Sequence, residues 1–264
     1  MKLFTLSFLL FFFIQVAYSQ NYKVIHVNGK IQKMSNKQLL DRGSGLKTDD
    51  KLNYLTQGAR AVVVDADAGK RMILENASTG EASVKASMSP SMGNISSRSG
   101  SLLQRLDVKN HFQGKYVILE TLKIPINPQV FPQNDTQFFF VRIVYKGEPI
   151  NKKLFHHADT LMIHKDSLLR VDGKPINNED ITEMHLMYYS KVNDNITTSS
   201  ISDSFYPVFP DLQELKKEVE LLLTTLPKDY DKTKFDFVNG YIQDAYGKTN
   251  SENIKVWFDK NFEE

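Results

Sequence analysis

The stretch FFFVRIVY, residues 138–145, is the strongest β-strand signal in the chain. Its aromatic and β-branched side chains suit a pleated surface, and Lys146-Gly147 follows as a turn. Further apolar or alternating runs predict strands at residues 116–119, 161–163, 168–171, 183–191 and 204–209. Short, closely spaced strands predict a β-sandwich-like domain over residues 114–209, with an immunoglobulin-like arrangement as one option. Because a Cys-Trp-Cys pattern is missing, the topology stays open.

A second β-rich region precedes this domain. Residues 22–31 alternate as a strand does, with Val24, His26 and Asn28 on one side and Ile25, Val27 and Gly29 on the other, and Asn28-Gly29 indicates a hairpin or a bend. The runs Ala61-Val62-Val63-Val64 and Met72-Ile73-Leu74 predict two more strands around a turn at Gly69. Short strands with frequent turns favour a small antiparallel sandwich or barrel.

Residues 46–74 also carry a recognisable spacing. Leu46-Lys47-Thr48-Asp49-Asp50-Lys51-Leu52 is followed by Ala59-Arg60-Ala61-Val62 and then by the turn at Gly69. This spacing resembles the FecR-like β domain of bacterial envelope proteins, which reads Leu-x-x-Gly-Asp-x-Leu before an Ala-x-aliphatic strand. Asp49 stands where that family prefers Gly. The resemblance implies a FecR-like β domain over residues 20–76. The family's signalling role does not carry over, because its transmembrane helix is missing here.

Residues 77–113 are rich in Ser, Met, Ala and Gly, which are poor core formers. Their composition predicts a linker or a loop, and the alternative is a binding loop that uses its Met residues for adaptable contact. One or two helical turns are expected between Leu102 and Phe112.

Beyond Pro210 the apolar period changes to that of helices. One amphipathic helix is predicted from Leu212 to Leu226, and a second one ends near Gly247. Thr249 and Glu252 match a capping box at the start of a third helix, which carries Trp257. We expect the apolar faces of residues 210–264 to pack on one another and on the β region, with a partner-binding groove as the alternative.

The N-terminus matches a secretory signal peptide. Lys2 precedes an apolar run of 14 residues, and Ala17-Tyr18-Ser19 offers small residues for cleavage after Ser19. A bilayer span needs about 20 residues, so cleavage is favoured over anchoring. The chain has no Cys and is therefore held by packing rather than by disulfides. Loss of Lys2 leaves 32 basic against 31 acidic side chains, which gives no reason to expect nucleic acid as a partner.

Familiar catalytic and cofactor motifs are absent from the sequence. Ser44-Gly45-Leu46-Lys47 matches the Ser-x-x-Lys pair of penicillin-binding enzymes, but it lies in a predicted turn rather than at a helix start. His156, His157 and His164, with Asp159, could approach one metal ion on a hairpin, but their spacing is irregular. We therefore assign no catalytic, cofactor-binding or metal-binding residue.

The sequence thus predicts a mainly β protein with C-terminal helices, of the α+β class. It would be a non-catalytic exported protein, in the periplasm or at the outer membrane or cell surface. Its role would be that of a structural or protein-binding component of a cell-envelope assembly. One alternative is an envelope sensor or regulator that uses the FecR-like domain. Another is a hydrolase on glycans or peptides whose site forms only in the folded chain.

Overall fold

The computed structural model describes residues 21–65, 67–91, 105–227 and 234–263. The predicted signal peptide, residues 1–19, lies outside these ranges, as does the middle of the predicted linker. The described chain is mainly β with helices at the C-terminal end, so the predicted α+β class is confirmed.

The first β region consists of two small sheets. The five-stranded sheet has the order β3-β1-β5-β6-β8 and the three-stranded sheet the order β2-β4-β7, with antiparallel pairing throughout. The core between them contains Val24, Leu52, Tyr54 and Val63, all almost fully buried. The strands are β1 (Asn21–Asn28), β2 (Ile31–Lys33), β3 (Gly45–Lys47), β4 (Lys51–Tyr54), β5 (Arg60–Asp65), β6 (Arg71–Glu75), β7 (Gly80–Ser83) and β8 (Met88–Pro90).

Residues 80–90 differ from the linker that their composition predicts. They form β7, the helical turn α1 (Val84–Ser87) and β8. Strand β7 pairs with β4, and strand β8 pairs with β6. Val84 is fully buried, and Ala82 and Met88 pack against the same core. Few apolar side chains suffice here, because neighbouring strands supply the remaining contacts. The helical turns expected before Phe112 form α2 (Arg105–His111).

The second β region packs a six-stranded sheet on a three-stranded one. The larger sheet runs β12-β11-β17-β19-β9, with β18 also paired to β17, and the smaller runs β10-β14-β13. The strands are β9 (Gly114–Val117), β10 (Thr121–Pro125), β11 (Gln137–Tyr145), β12 (Glu148–Lys153), β13 (Phe155–His157), β14 (Thr160–His164), β15 (Arg170–Val171), β16 (Lys174–Pro175), β17 (Ile181–Val192), β18 (Asn195–Ser200) and β19 (Phe205–Val208).

Alternation along β11 decides which side chains enter this core. Phe139, Val141 and Ile143 point inward and are almost fully buried, whereas Phe138 and Arg142 belong to the outer face. The strand expected at residues 168–171 begins only at Arg170, because residues 165–168 form the helical turn α3 (Lys165–Leu168). A short 3-10 helix, Asn178–Asp180, comes before β17. Strand β9 is the last strand at one edge of the larger sheet, and it pairs in parallel with β19.

Three helices join the two β regions through a shared core. The helices α4 (Leu212–Thr224), α5 (Lys234–Tyr246) and α6 (Ser251–Phe262) pack against Ile25, Val62 and Val64 of the first region and against Val117 and Leu119 of the second. The cap of α6 is Asn250 rather than the predicted Thr249. The Thr249 hydroxyl instead donates a buried hydrogen bond to Asn239 (2.9 Å). Within the described ranges, no helix has the length and apolar character needed to cross a membrane.

Candidate binding groove

An open groove of about 480 Å³ lies where the start of β10 meets α4 and α6. Leu119 and Leu212 line it together with Val256 and Trp257 of α6. Val256 is 71% exposed, which makes it the most exposed large apolar side chain of the described residues. Trp257, the only tryptophan of the chain, is half-buried and packs edge-to-face on Phe262. The groove therefore presents apolar surface to solvent.

Asn253 fixes α6 against the edge of the smaller sheet. Its side-chain oxygen accepts from the Lys123 backbone N–H (3.0 Å), and its amide nitrogen donates to the Lys123 carbonyl (2.9 Å). This pair of bonds mimics the ladder that another strand would form with β10. The wall that carries Val256 and Trp257 is therefore held in place by hydrogen bonds as well as by packing.

The opposite wall begins at the N-terminus of α4. The Asp211 carboxylate caps this helix by accepting from the backbone N–H groups of Gln213 (2.9 Å) and Glu214 (3.0 Å). The cap orients the first turn of α4, so that Leu212 and Lys216 line the groove. Sequence periodicity predicts this helix, but not the side of it that borders a groove.

Three lysines surround the apolar floor. Lys123, Lys216 and Lys260 line the groove with one carboxylate, that of Glu120, so its charge is positive overall. Within the described residues, none of these three ammonium groups forms an ion pair with a carboxylate. The lysines come from three different elements, which is why sequence spacing does not reveal the cluster.

An adjoining hollow of about 660 Å³ shares Leu119, Glu120 and Leu212 with the groove. Glu120, Asp166 and Asp211 line it, with Lys165 as the basic residue. The groove and the hollow are thus two halves of one depression and carry opposite net charge. The apolar surface is concentrated in the groove, which is the lysine-rich half.

Thr121 and His164 meet at the boundary of the two halves. The Thr121 hydroxyl and His164 Nδ1 lie 2.9 Å apart and are hydrogen-bonded. A hydroxyl beside an imidazole is half of a nucleophile–base arrangement, which needs a third group to orient the base. The two residues face each other in the β10–β14 ladder, so the register accounts for the contact. In the described chain the His164 ring packs on Phe155, and no carboxylate hydrogen bond to it is found.

The histidines that the sequence singles out occupy separate positions. His156 and His157 belong to the edge strand β13, whereas His164 ends β14 and faces β10. His156 Nδ1 lies 3.3 Å from the Ala158 carbonyl. Among the residues with described positions, no group of three His, Cys, Asp or Glu side chains is arranged to hold a metal ion.

The remaining motif residues lie in the first β region. Ser44 precedes strand β3, which contains Lys47, so the Ser-x-x-Lys spacing does not sit on a helix. Asp49 is not among the residues with positive φ, so this turn does not require the glycine that the FecR-like family prefers there. Asp50, the next residue, accepts from the Lys47 N–H (2.8 Å) and pairs with Lys33 (2.7 Å).

The buried carboxylate of Glu218 is a feature that sequence reasoning missed. It is hydrogen-bonded to His26 Nδ1 (2.9 Å) and accepts from the hydroxyls of Tyr241 (2.6 Å) and Tyr246 (2.7 Å). Burial and the nearby Glu218 charge raise the pKa of both tyrosines. With 6% of its surface exposed, Glu218 does not present its charge to a ligand, and it ties α4 to β1 and α5.

Comparisons with known proteins found no matching family model, no matching curated protein and no matching solved structure.

Proposed function

We propose that this chain is a non-catalytic, exported protein-binding component of a bacterial cell-envelope assembly. The groove between β10, α4 and α6 would be its binding site. The observation that carries the proposal is exposed Val256 and half-buried Trp257 beside three lysines that form no ion pair with a described carboxylate.

The chemistry of the groove favours one kind of partner segment. Apolar or aromatic side chains would cover Val256 and Trp257, since interfaces gain most from large, well-packed apolar anchors. Carboxylates that flank those anchors would meet Lys123, Lys216 and Lys260, which gives charge complementarity. The partner is therefore an acidic protein segment that carries apolar anchors.

In-cell crosslinking tests the groove directly. A photo-reactive amino acid in place of Val256 would be activated in intact cells, and the adducts would be identified by mass spectrometry. Leu55, which is 46% exposed on the first β region, provides the matched control position. Recovery of an envelope protein with an acidic, apolar segment from position 256 alone supports the proposal. Absence of a specific adduct, or the same adducts from both positions, counts against it.

Export is supported by the signal-like N-terminus and is tested separately. The mature protein would be purified from the envelope fraction, and its first residue determined. Cleavage after Ser19 gives a chain that begins at Gln20. A chain that retains Met1 and fractionates with the cytoplasm would overturn this part of the proposal.

A further inference from the structure

The edge strand β18 lacks the features that usually keep an exposed strand from pairing with other chains. Its sequence NITTSS contains no charged residue, no Pro and no Gly, and five of its six residues are exposed. Exposed strand edges normally carry charges, prolines or bulges that discourage pairing with other chains. Strand β12, at the opposite edge of the same sheet, follows that rule with Glu148, Pro149, Lys152 and Lys153.

The register of the β17–β18 hairpin shows which backbone groups face outward. Asn193 and Asp194 both have positive φ, so they form a two-residue turn that makes Val192 and Asn195 a hydrogen-bonded pair. Hydrogen-bonded pairs then alternate along the strands, and the bond from Ile201 N–H to the Leu186 carbonyl follows this alternation.

The N–H and C=O groups of Ile196, Thr198 and Ser200 therefore point away from β17. In the part of the chain that the structure describes, β17 is the one strand that pairs with β18. These three residues offer six backbone groups in a regular row, which is the geometry that accepts an added strand.

We infer that β18 pairs antiparallel with β18 of a second copy of this chain. Outward-facing residues must pair with outward-facing residues, and the register that uses all six groups places Thr198 opposite Thr198 of the other copy. Ile196 then lies opposite Ser200 in both directions. Because the strand is uncharged, bringing two copies together opposes no like charges.

This arrangement is closed and joins the two larger sheets into one continuous sheet. A two-fold interface uses the same surface of each subunit, so the assembly stops at two copies. This pairing surface is separate from the groove, because β18 and the groove share no residue.

Charge substitutions at the two-fold axis test the pairing. Thr198→Lys and Thr198→Glu each place like charges opposite one another, so each variant alone should have half the wild-type mass in sedimentation equilibrium. An equimolar mixture of the two variants should restore the doubled mass, because Lys then faces Glu.

Asn195→Lys is the matched control. In the inferred register Asn195 lies opposite Ile201 of the other copy. The two Asn195 side chains are therefore six residues apart, a separation of about 20 Å along the strand. This variant should remain dimeric, and circular dichroism should show that all the variants are folded. A wild-type chain that stays monomeric at every accessible concentration overturns the inference. Failure of the mixed variants to restore the dimer would do the same.

Discussion

Arg71 Nε donates to Asp244 Oδ2 over 3.1 Å, and this ion pair joins β6 of the first β region to α5. The two side chains are 7% and 5% exposed. Ser91 lies between the partners: its hydroxyl donates to the same Asp244 oxygen (2.7 Å) and accepts from Arg71 (3.2 Å). Arg71 also donates to the Phe237 carbonyl and lies over the Phe237 ring. The guanidinium thus links β6 to α5 through an ion pair, a hydrogen bond and a ring contact.

Replacing Arg71 should therefore destabilise the chain strongly. In Arg71→Ala the Asp244 carboxylate stays buried without its cation, which typically costs about 3–5 kcal/mol. Arg71→Lys keeps the charge but not the planar fork, so an intermediate loss is expected. Urea unfolding would measure both, with exposed Lys70→Ala as a control expected within about 0.5 kcal/mol of wild type. A loss below about 1 kcal/mol for Arg71→Ala would contradict a buried ion pair.

Glu218→Ala should also lower the free energy of unfolding. The buried Tyr241 hydroxyl, the partly buried Tyr246 hydroxyl and His26 would lose their acceptor, and an unsatisfied buried group costs about 1–3 kcal/mol. Glu220→Ala on the exposed side of α4 is the matched control. Equal unfolding free energies for the two variants would show that the buried carboxylate does not link these elements.

His111 predicts a pH dependence of stability. Burial, and secondly the Lys248 charge, lower the pKa of His111 from 6.5 to about 4. His111 therefore binds a proton below about pH 6.5 in the unfolded chain, but only below about pH 4 in the folded chain. The contribution of neutral His111 to the free energy of unfolding should be fully present above pH 6.5 and should fall by about 3 kcal/mol towards pH 4.

His111→Gln removes this titration and retains a polar partner for the Tyr116 hydroxyl, which hydrogen-bonds His111 Nε2. Unfolding free energies measured between pH 4 and pH 7 should fall less steeply for this variant. A slope identical to wild type would show that His111 does not titrate differently in the folded and unfolded chains.

Gly247→Ala should be among the most damaging single substitutions at a turn. Gly247 has φ +124°, and a Cβ there would lie 2.5 Å from the Lys115 carbonyl oxygen. The same carbonyl accepts from Lys248 N–H (2.8 Å), a bond that ties the end of α5 to β9. We expect a loss of about 2 kcal/mol or more in thermal or urea unfolding. Gly45→Ala, which has open space around it and no positive φ, should be nearly neutral.

Trp257 provides a direct signal for binding in the groove. Because it is the only tryptophan, emission excited selectively from tryptophan reports on this site alone. Binding of an acidic, apolar peptide should shift the emission to shorter wavelength, and Lys216→Glu with Lys260→Glu should weaken that binding at least about tenfold. Lys70→Glu, away from the groove, should bind as the wild type does. Equal affinity for all the variants would argue against a role for the lysines.

Local signals predicted the elements that depend mainly on their own residues. The strand expected at residues 138–145 is found at Gln137–Tyr145, because its side chains suit a sheet whichever strands flank it. The helix expected from Leu212 also begins there, directly after Pro210 and the Asp211 cap. The cap of α6 differs by one residue, since Thr249 hydrogen-bonds Asn239 instead.

Features that depend on distant pairing were not visible in the sequence. The strands at residues 80–90 contain few core formers and are held by β4 and β6. Nothing local indicates that β19 pairs in parallel with β9, or that Lys123 and Lys260 line one groove. The Glu218 network likewise joins residues up to 192 positions apart.

The core that the three helices share has a consequence for chains that lack those helices. Those helices follow both β regions along the chain, and they cover Ile25, Val64 and Val117, which lie on both β regions. A chain arrested before Pro210 would leave these apolar faces bare, and such surfaces favour aggregation and proteolysis. Truncated products should thus be removed by proteases, whereas a single backbone cut between residues 92 and 104 should leave two fragments that remain associated.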